Sequence, residues 1–353
     1  MSPRYRLRRA LPPAVALMLL CAFATPARAA DDTGILPDEL LKKTKKDKKK
    51  KKKEDGWHPK LNVGFNFAFA QSQGVVGVPD GISMALGLLL NGSLEYRYKA
   101  HSWITTLGMV HTQSKTPNID PFIKSADKLE LASYYQYRFP KLKILGVIAG
   151  LKMTTSLLPG SLILAEDTAI DKTPGDPTDL FDLAPAQKAY KLTAAFAPLL
   201  FKQFVGGILK PFTKKWMDID IRLGLGGVEV WTQDGYVIND DETTTGILEL
   251  KQLQDYQQAG VELQVNLTGT AFKKVLTYGL HAEVMYPFVT SIDTGALKGA
   301  DLFNTEFKVT VGIKLWKWFS LNYALAALRI PLIQEDWQVT NTLLLTVKAN
   351  IVK

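Results

Sequence analysis

The chain has little cysteine. Cys21 is the only one among 353 residues, and it lies in a segment that we predict to be removed. That segment, residues 1–29, has an arginine-rich start, an apolar run, and the small residues Ala27 and Ala29 that are typical of a signal-peptide cleavage site. The mature protein is therefore predicted to be exported without cysteine. This excludes disulfides, cysteine-ligated zinc, iron–sulfur clusters and covalently attached haem.

Long apolar runs are also missing after the signal peptide. A transmembrane helix needs roughly 18–20 consecutive apolar residues. The nearest stretch, residues 192–209, is interrupted by Pro198, Lys202 and Gln203. Any insertion into a bilayer must therefore use β-strands.

The main part of the chain lacks an excess of charge of either sign. Residues 1–55 contain 15 Lys and Arg against 7 Asp and Glu, a net of +8 out of the formal +9 of the whole chain. Residues 56–353 are left with only +1. Binding of nucleic acid needs a basic face on the folded part, so we expect no nucleic-acid partner.

The basic charge is concentrated in residues 30–55, which we predict to be a disordered periplasmic tail because its like charges repel and bury nothing. The tail is either a solvated spacer or an electrostatic tether to anionic lipid headgroups or cell-envelope polymer. Near such a surface each lysine adds about 1 kcal/mol. The tether would consist of Lys42, Lys43, Lys45, Lys46, Lys48, Lys49, Lys50, Lys51, Lys52 and Lys53.

From residue 56 onward the sequence alternates with a period of two. Residues 61–69 place large apolar side chains at odd positions, and residues 82–98 place them at even positions over seventeen residues. Globular strands usually have five or six residues. This length instead fits a tilted membrane strand of about 10 residues that extends beyond the bilayer.

Ten further segments follow the same rule, and the joins between segments alternate between short and long. The sequence predicts an all-β fold: a single antiparallel up-and-down transmembrane β-barrel of about 12 strands, with 10 to 14 as the range, formed by residues 56–353 in an outer membrane of the Gram-negative type. The further strands are predicted at 102–112, 126–139, 142–157, 190–205, 217–232, 247–268, 275–289, 303–316, 319–330 and 337–352. Long loops are predicted at 71–81, 113–125, 158–189, 233–246 and 290–302.

Two segments are ambiguous. In residues 184–216 the apolar side chains recur every three or four positions, so a helix acting as a plug or lid competes with a slightly favoured strand. Near Gly226 and Gly227 the apolar positions change from odd to even, which predicts a β-bulge.

Residues 56–139 resemble a family of predicted outer-membrane barrels known only as a domain of unknown function. The resemblance is carried by Gly56-Trp57, Gln71-Ser72, Trp103, the run from Asp127 to Leu131, and Tyr135 with Tyr137. It implies the same barrel fold and nothing about activity.

The hydrophilic face of the predicted strands should line the lumen. Its mixed charges would either border a narrow watery pore or pair into a network that closes it. The candidates are Glu95, Arg97, Lys128, Glu130, Arg138, Lys152, Glu262, Gln264, His281, Glu283, Glu306, Lys308 and Lys314.

The sequence has few residues that suggest catalysis. Its four histidines form no metal-binding motif, so we expect no metal and no cofactor. Only His111 with Ser114 and His281 with Ser291 suggest a serine–histidine pair. A role in packing or in a loop is favoured for both pairs.

The favoured function is therefore a passive channel or transport pore for small polar solutes, with membrane lipid as its surroundings. The alternative is a closed structural or adhesive barrel that binds partners through its outer loops or lysine tail. A membrane-embedded lipid hydrolase is less favoured. A soluble lipid-binding barrel would have apolar side chains inside, so the direction in which the two faces point separates it from all the others.

Overall fold

The structure is a computed structural model that describes residues 55–72, 81–172, 181–214, 216–239, 246–295, 297–316 and 319–352. The predicted signal peptide and the lysines of the tail lie outside the described residues. The described chain is built almost entirely of β-strands, which we number β1 to β18.

Twelve long strands form the barrel. In chain order they are β1 (Gly56–Ser72), β2 (Gly81–Tyr98), β3 (His101–Thr116), β4 (Ile119–Arg138), β5 (Leu145–Thr155), β10 (Leu199–Thr213), β11 (Met217–Trp231), β14 (Tyr256–Ala271), β15 (Leu276–Thr290), β16 (Asn304–Lys314), β17 (Phe319–Ile330) and β18 (Gln334–Val352).

The twelve strands close into a ring in the order β1-β18-β17-β16-β15-β14-β11-β10-β5-β4-β3-β2. All neighbours are antiparallel, and β1 closes the ring by pairing with β18 from Leu61 opposite Val352 to Phe65 opposite Val347. The predicted fold class and the favoured strand count are confirmed. Closure leaves no free edge strand in the ring, as a barrel in lipid requires.

Six shorter strands lie in the two longest loops, β5–β10 and β11–β14. They are β6 (Gly160–Ile163), β7 (Thr168–Asp171), β8 (Asp182–Ala184), β9 (Ala189–Thr193), β12 (Tyr236–Ile238) and β13 (Ile247–Gln252). β13 pairs with β7 in parallel, which joins the two loops into one unit that we call the cap. The cap has its own core of Ile170, Ala184, Leu192 and Leu250.

Helical structure among the described residues is limited to two 3-10 turns, Phe272–Lys274 and Gly299–Leu302. No helix in the described part of the chain is long and apolar enough to cross a membrane.

The strand alternative for residues 184–216 is confirmed, although the barrel strand begins later than the predicted residue 190. β10 starts at Leu199, and the preceding β9 belongs to the cap. The helix-like spacing has a physical cause: the inward face of β10 is apolar as well, because Phe204 and Ile208 pack against Ile148 of β5. A strand that is apolar on both faces does not alternate.

Three further details of the sequence prediction are wrong. The predicted loop 113–125 is mostly strand, because β3 and β4 continue to a tight turn at 117–118. The predicted strand 247–268 is interrupted after Gln252, where the chain passes from the cap into the barrel. No bulge occurs near Gly226, since β11 pairs with β14 without a register shift.

The odd-to-even change in β11 has a different origin from a bulge. Val228 and Val230 turn inward at the loop end of the lumen, where they are 3% and 1% exposed. The apolar side chains have therefore moved to the other face of a regular strand.

Candidate functional site in the lumen

The two faces of the barrel strands are arranged inside out relative to a soluble protein. Large apolar side chains cover the outer surface, including Phe65 at 66% exposed and Leu223 at 58%. Buried charged and amide side chains fill the interior, among them Glu95 at 3%, Gln264 at 7% and Lys308 at 2%. Such a large exposed apolar surface matches contact with lipid and excludes the soluble lipid-binding barrel.

Most of the predicted lumen residues point into this interior. Arg97, Arg138, Lys152 and Glu306 are partly buried, whereas Lys314 is exposed at the end of β16. Arg97 forms an ion pair with Glu95 two positions earlier on β2. The candidates that are buried are Glu95, Lys128, Glu130, Glu262, Gln264, His281, Glu283 and Lys308.

Six charged side chains meet in the middle of the lumen, and we call them the central ionic network. They are Lys128, Glu130, Lys152, Lys202, Glu283 and Glu306. Three are cationic and three anionic, so the network is balanced. Compensation of this kind is what keeps buried charges tolerable.

The network crosses the lumen. The Lys152 ammonium on β5 is 3.8 Å from a Glu306 carboxylate oxygen on β16, and 3.7 Å from Glu130 on the adjacent β4. Lys202 on β10 reaches Glu283 on β15 at 2.8 Å and Glu306 at 3.6 Å. β5 and β16 are five places apart in the ring of twelve, so these side chains bridge the interior instead of following one wall.

A second set, the wall ionic group, lies nearer the short turns. Lys210 Nζ is 2.9 Å from Asp220 Oδ2 and 4.0 Å from Asp218 Oδ1, and Arg222 Nε is 2.8 Å from Asp220 Oδ1. These residues come from the adjacent strands β10 and β11. The group therefore follows the wall.

The sequence candidates omitted several interior charges. Asp218, Asp220 and Arg222 alternate with apolar Ile219, Ile221 and Leu223, so the rule used elsewhere would have found them. Lys202 and Lys210 gave no such signal, because both faces of β10 are largely apolar.

Above the central network, toward the loops, the lumen is apolar. Val228, Val230, Tyr256, Met285 and Ile330 form one buried cluster, which we call the loop-end cluster. The surrounding partly buried side chains are Leu200, Ile292, Leu328, Leu332 and Ile333. The members come from several strands of the barrel and from two loop-end connections, so this cluster also narrows the interior.

One group of side chains has the composition of a metal site. His281, Glu283 and Glu306 offer ligand atoms that lie within 4.8 Å of one another. However, the Lys202 ammonium contacts both carboxylates, and the His281 ring bonds Asn266 Oδ1 through Nδ1 at 2.8 Å. A lysine thus supplies the positive charge that a metal ion would bring, and we assign no metal here.

The two candidate serine–histidine pairs are not formed. His111 and Ser114 are three positions apart on β3, so their side chains point to opposite faces. His281 and Ser291 are ten positions apart along and just beyond β15, which corresponds to about 33 Å at 3.3 Å per residue. Neither serine is placed to be activated by its histidine.

The cap is fastened to the barrel through β4. The Asp127 carboxylate accepts hydrogen bonds from the backbone N–H of Leu158 at 2.7 Å and from Lys124 Nζ at 3.2 Å. Lys124 also donates to the Leu158 carbonyl at 3.0 Å. The first residues of the long β5–β10 loop are therefore fixed at the barrel rim.

Aromatic side chains gather on the outer surface near the short turns. Trp57 packs against Tyr96 with ring centroids 4.8 Å apart, and Trp316 packs against Phe319 at 5.6 Å. Trp103 donates from Nε1 to Ser133 Oγ at 2.8 Å. Such amphipathic rings are typical of the headgroup level of a membrane.

No protein-family model matches this chain, and no curated protein matches it. Similar solved structures include the translocator domain of the autotransporter NalP from Neisseria meningitidis, with 9% identity, 84% of this chain and 89% of that chain covered, and a TM-score of 0.36. An outer-membrane channel from Pseudomonas putida F1 has 11% identity, coverage of 84% and 96%, and a TM-score of 0.37. The transport unit of the autotransporter AIDA-I from Escherichia coli has 9% identity, coverage of 88% and 94%, and a TM-score of 0.30.

At these identities and TM-scores the likeness carries nothing about activity, cargo or partners. The fold follows from the closed ring of twelve strands and from the apolar outer and charged inner faces. The chain therefore forms a closed twelve-stranded β-barrel whose apolar outer surface is suited to a membrane.

Proposed function

We propose that this barrel is a narrow passive channel or transport pore for small polar solutes, and that the central ionic network sets its width. The supporting observation is the pair of contacts that cross the interior, Lys152 to Glu306 and Lys202 to Glu283. A wide general pore would have its interior charges along the walls. Here the charges meet in the middle.

The charge balance of the network bears on selectivity. With three cationic and three anionic side chains, the central ionic network has no dominant sign. We therefore expect weak preference between small anions and cations. Replacing Lys202 by glutamate changes the balance by two charges, and should move the reversal potential in a salt gradient toward cation preference.

The decisive experiment is single-channel conductance of the purified protein in planar bilayers. The variant Lys152→Ala/Glu306→Ala removes one bridging pair without changing the net charge, so we expect a larger unit conductance than in the wild type. The matched control is Lys210→Ala/Asp220→Ala, which removes a similar pair from the wall and should change conductance less. Folded protein without unit openings, in both the wild type and the bridging-pair variant, would contradict the proposal.

A second candidate is a closed structural or adhesive barrel. It is favoured by the loop-end cluster, which narrows the interior a second time. It is also favoured by the cap, because loops that pack around their own core form an ordered surface to which partners can bind. The same recording separates the two functions. A closed barrel stays silent after loss of the Lys152–Glu306 pair, whereas a narrow pore opens further.

We do not propose a catalytic function, because neither predicted serine–histidine pair is brought together.

A further inference from the structure

We propose that the loop-end part of the lumen holds a binding subsite for a small neutral amphiphile, meaning an apolar body with one amide or hydroxyl group. The inference rests on the proposed channel function and narrows its small polar solutes to neutral ones that also carry an apolar body. It is carried by three buried polar side chains, Tyr256, Gln258 and Asn304, that retain unused hydrogen-bonding atoms beside the loop-end cluster.

These three side chains lie next to one another on the inner wall. Tyr256 and Gln258 are two positions apart on the same face of β14, and Asn304 is on β16. Asn304 Nδ2 donates to Gln258 Oε1 at 2.7 Å, which fixes both amides relative to each other. The three side chains are 3%, 4% and 7% exposed.

The bond between the amides leaves their other ends unused. Gln258 Nε2, Asn304 Oδ1 and the Tyr256 hydroxyl have no hydrogen-bond partner among the described residues. Buried polar atoms in proteins normally have a partner. One donor, one acceptor and one hydroxyl that does both are therefore left without a partner, and all three are buried. An amide or a hydroxyl of a ligand could pair with atoms of these kinds.

The side chains toward the loops are apolar, whereas Thr290 is opposite Gln258 and the buried Glu262 is opposite Met285 in the register of β14 and β15. Tyr256 packs in the loop-end cluster with Met285, Val228 and Val230, and Asn304 is directly opposite Met285 in the register of β15 and β16. Small-molecule sites have this composition: mostly apolar walls with a few fixed polar groups that orient the ligand.

Charged side chains lie between the subsite and the short turns, and they determine which ligands bind poorly. Glu283 and Glu306 each lie two positions from Met285 and Asn304 on the same inward faces. Their carboxylates are paired with Lys202, which is thereby engaged. A negatively charged head group would lose its hydration here and would compete with these carboxylates for the Lys202 ammonium, so the neutral form is preferred.

Benzamide is a suitable probe, because it joins an apolar ring to one primary amide, and benzoate is its charged counterpart. Ligand-observed saturation-transfer NMR on the full-length protein in detergent micelles measures binding of both. We expect benzamide to bind the wild type, and benzoate to bind at least tenfold more weakly.

Two variants test the location. Gln258→Leu/Asn304→Leu removes both amides and should weaken benzamide binding at least tenfold. Gln136→Leu is the matched control, because Gln136 is a buried amide, 7% exposed, with an unused Nε2 on the distant strand β4. This control should bind benzamide as the wild type does.

Met285→Trp fills the apolar side of the subsite and leaves all three polar groups in place, so it should also abolish binding. Unchanged benzamide affinity in both the double variant and Met285→Trp, equal affinity for benzoate, or no binding to the folded wild type would overturn the inference. Conductance measurements distinguish failure of the subsite from failure of the channel. A barrel that conducts ions but does not bind benzamide contradicts only the subsite. A barrel that binds benzamide but shows no conductance contradicts only the channel.

Discussion

Lys152 and Glu306 lie on strands five places apart in a ring of twelve, yet the lysine ammonium is 3.8 Å from the glutamate carboxylate. Adjacent strands bring side chains together through the sheet itself, but this pair meets only because both side chains extend into the lumen. The contact therefore reports on the shape of the interior, and it links the fold to the proposed control of pore width.

The coupling between these two residues is measurable. We expect a double-mutant cycle of Lys152→Gln and Glu306→Gln to give a coupling energy of about 0.5–3 kcal/mol in the free energy of unfolding, as for other contacting charged pairs. Each single substitution should destabilise the barrel, because Lys152 faces two carboxylates and Glu306 faces two ammonium groups. Urea unfolding in lipid vesicles at neutral pH measures all four proteins.

The control cycle combines Lys152→Gln with Glu95→Gln. Glu95 lies on β2, where it pairs with Arg97, so its coupling to Lys152 should stay below about 0.5 kcal/mol. If the Lys152–Glu306 cycle gives no more coupling than this control, the two side chains do not interact in the folded barrel.

The outer face should respond to charge as a lipid-facing surface does. Leu223 is 58% exposed in the middle of β11, and Leu223→Arg should lower the free energy of unfolding by about 2–4 kcal/mol. Leu183→Arg is the control, because Leu183 is 60% exposed on the cap strand β8. Vesicle unfolding curves that show equal effects at both positions would contradict the lipid contact of Leu223.

The ring of Tyr134 depends on a glycine on the next strand. A Cβ atom at Gly150 would overlap this ring, which also stacks with the Arg222 guanidinium at 5.5 Å. Gly150→Ala should therefore destabilise the barrel by about 1–3 kcal/mol through overpacking.

Gly207→Ala is the matched control for Gly150→Ala. The nearest atom to a Cβ at Gly207 is the Leu223 carbonyl oxygen at 3.9 Å, an ordinary contact. In detergent the unfolding temperature should be higher for Gly207→Ala than for Gly150→Ala. The reverse order would show that the Tyr134 ring does not lie against Gly150.

An ion pair in the cap should make its local stability depend on pH. The hydrogen bond from Lys172 holds the pKa of Asp182 below its ordinary value, and the same bond raises the pKa of Lys172. The contribution of Asp182 to the stability of the cap is therefore fully present above about pH 3.9, the pKa of an aspartate in the unfolded chain. It is lost as the pH falls through the lower pKa of the folded state. The contribution of Lys172 to the stability of the cap is fully present below about pH 10.4, the pKa of a lysine in the unfolded chain. It is lost as the pH rises through the higher pKa of the folded state.

Both side chains are more than a third exposed, so solvent screening should keep the effect small. Protection factors of the β7 and β8 amides, which are hydrogen-exchange rates corrected for the intrinsic effect of pH, should be equal between these limits and lower outside them. Asp182→Asn should remove the acid-side change and leave barrel amides as they were. If Asp182→Asn loses as much amide protection at acid pH as the wild type, another group causes the pH dependence.

The two-residue pattern was enough to place most barrel strands. In β2 and β3 the alternation is regular, because one face contacts lipid and the other contacts the polar interior. It failed at β10 and at the loop end of β11, where Phe204, Ile208, Val228 and Val230 face inward and pack against apolar side chains of other strands. Apolar side chains on the inner face remove the contrast on which the pattern depends.

The candidate lumen residues show the same limit of the two-residue pattern. Periodicity selected Lys152 and Glu306 separately, each by its place on its own strand. It contained no information that they touch, and it omitted Lys202, which contacts both Glu283 and Glu306.

The sequence by itself predicted a barrel and divided each regular strand into an apolar and a hydrophilic face, because alternation is a local property of consecutive residues. The tertiary structure then placed the apolar face outward and the hydrophilic face inward. Only the tertiary structure decided which interior charges meet, that they bridge the lumen, and that an apolar cluster with unused polar atoms lies toward the loops. Those contacts join residues that are distant along the chain, so they depend on ring closure and register, which no local pattern encodes.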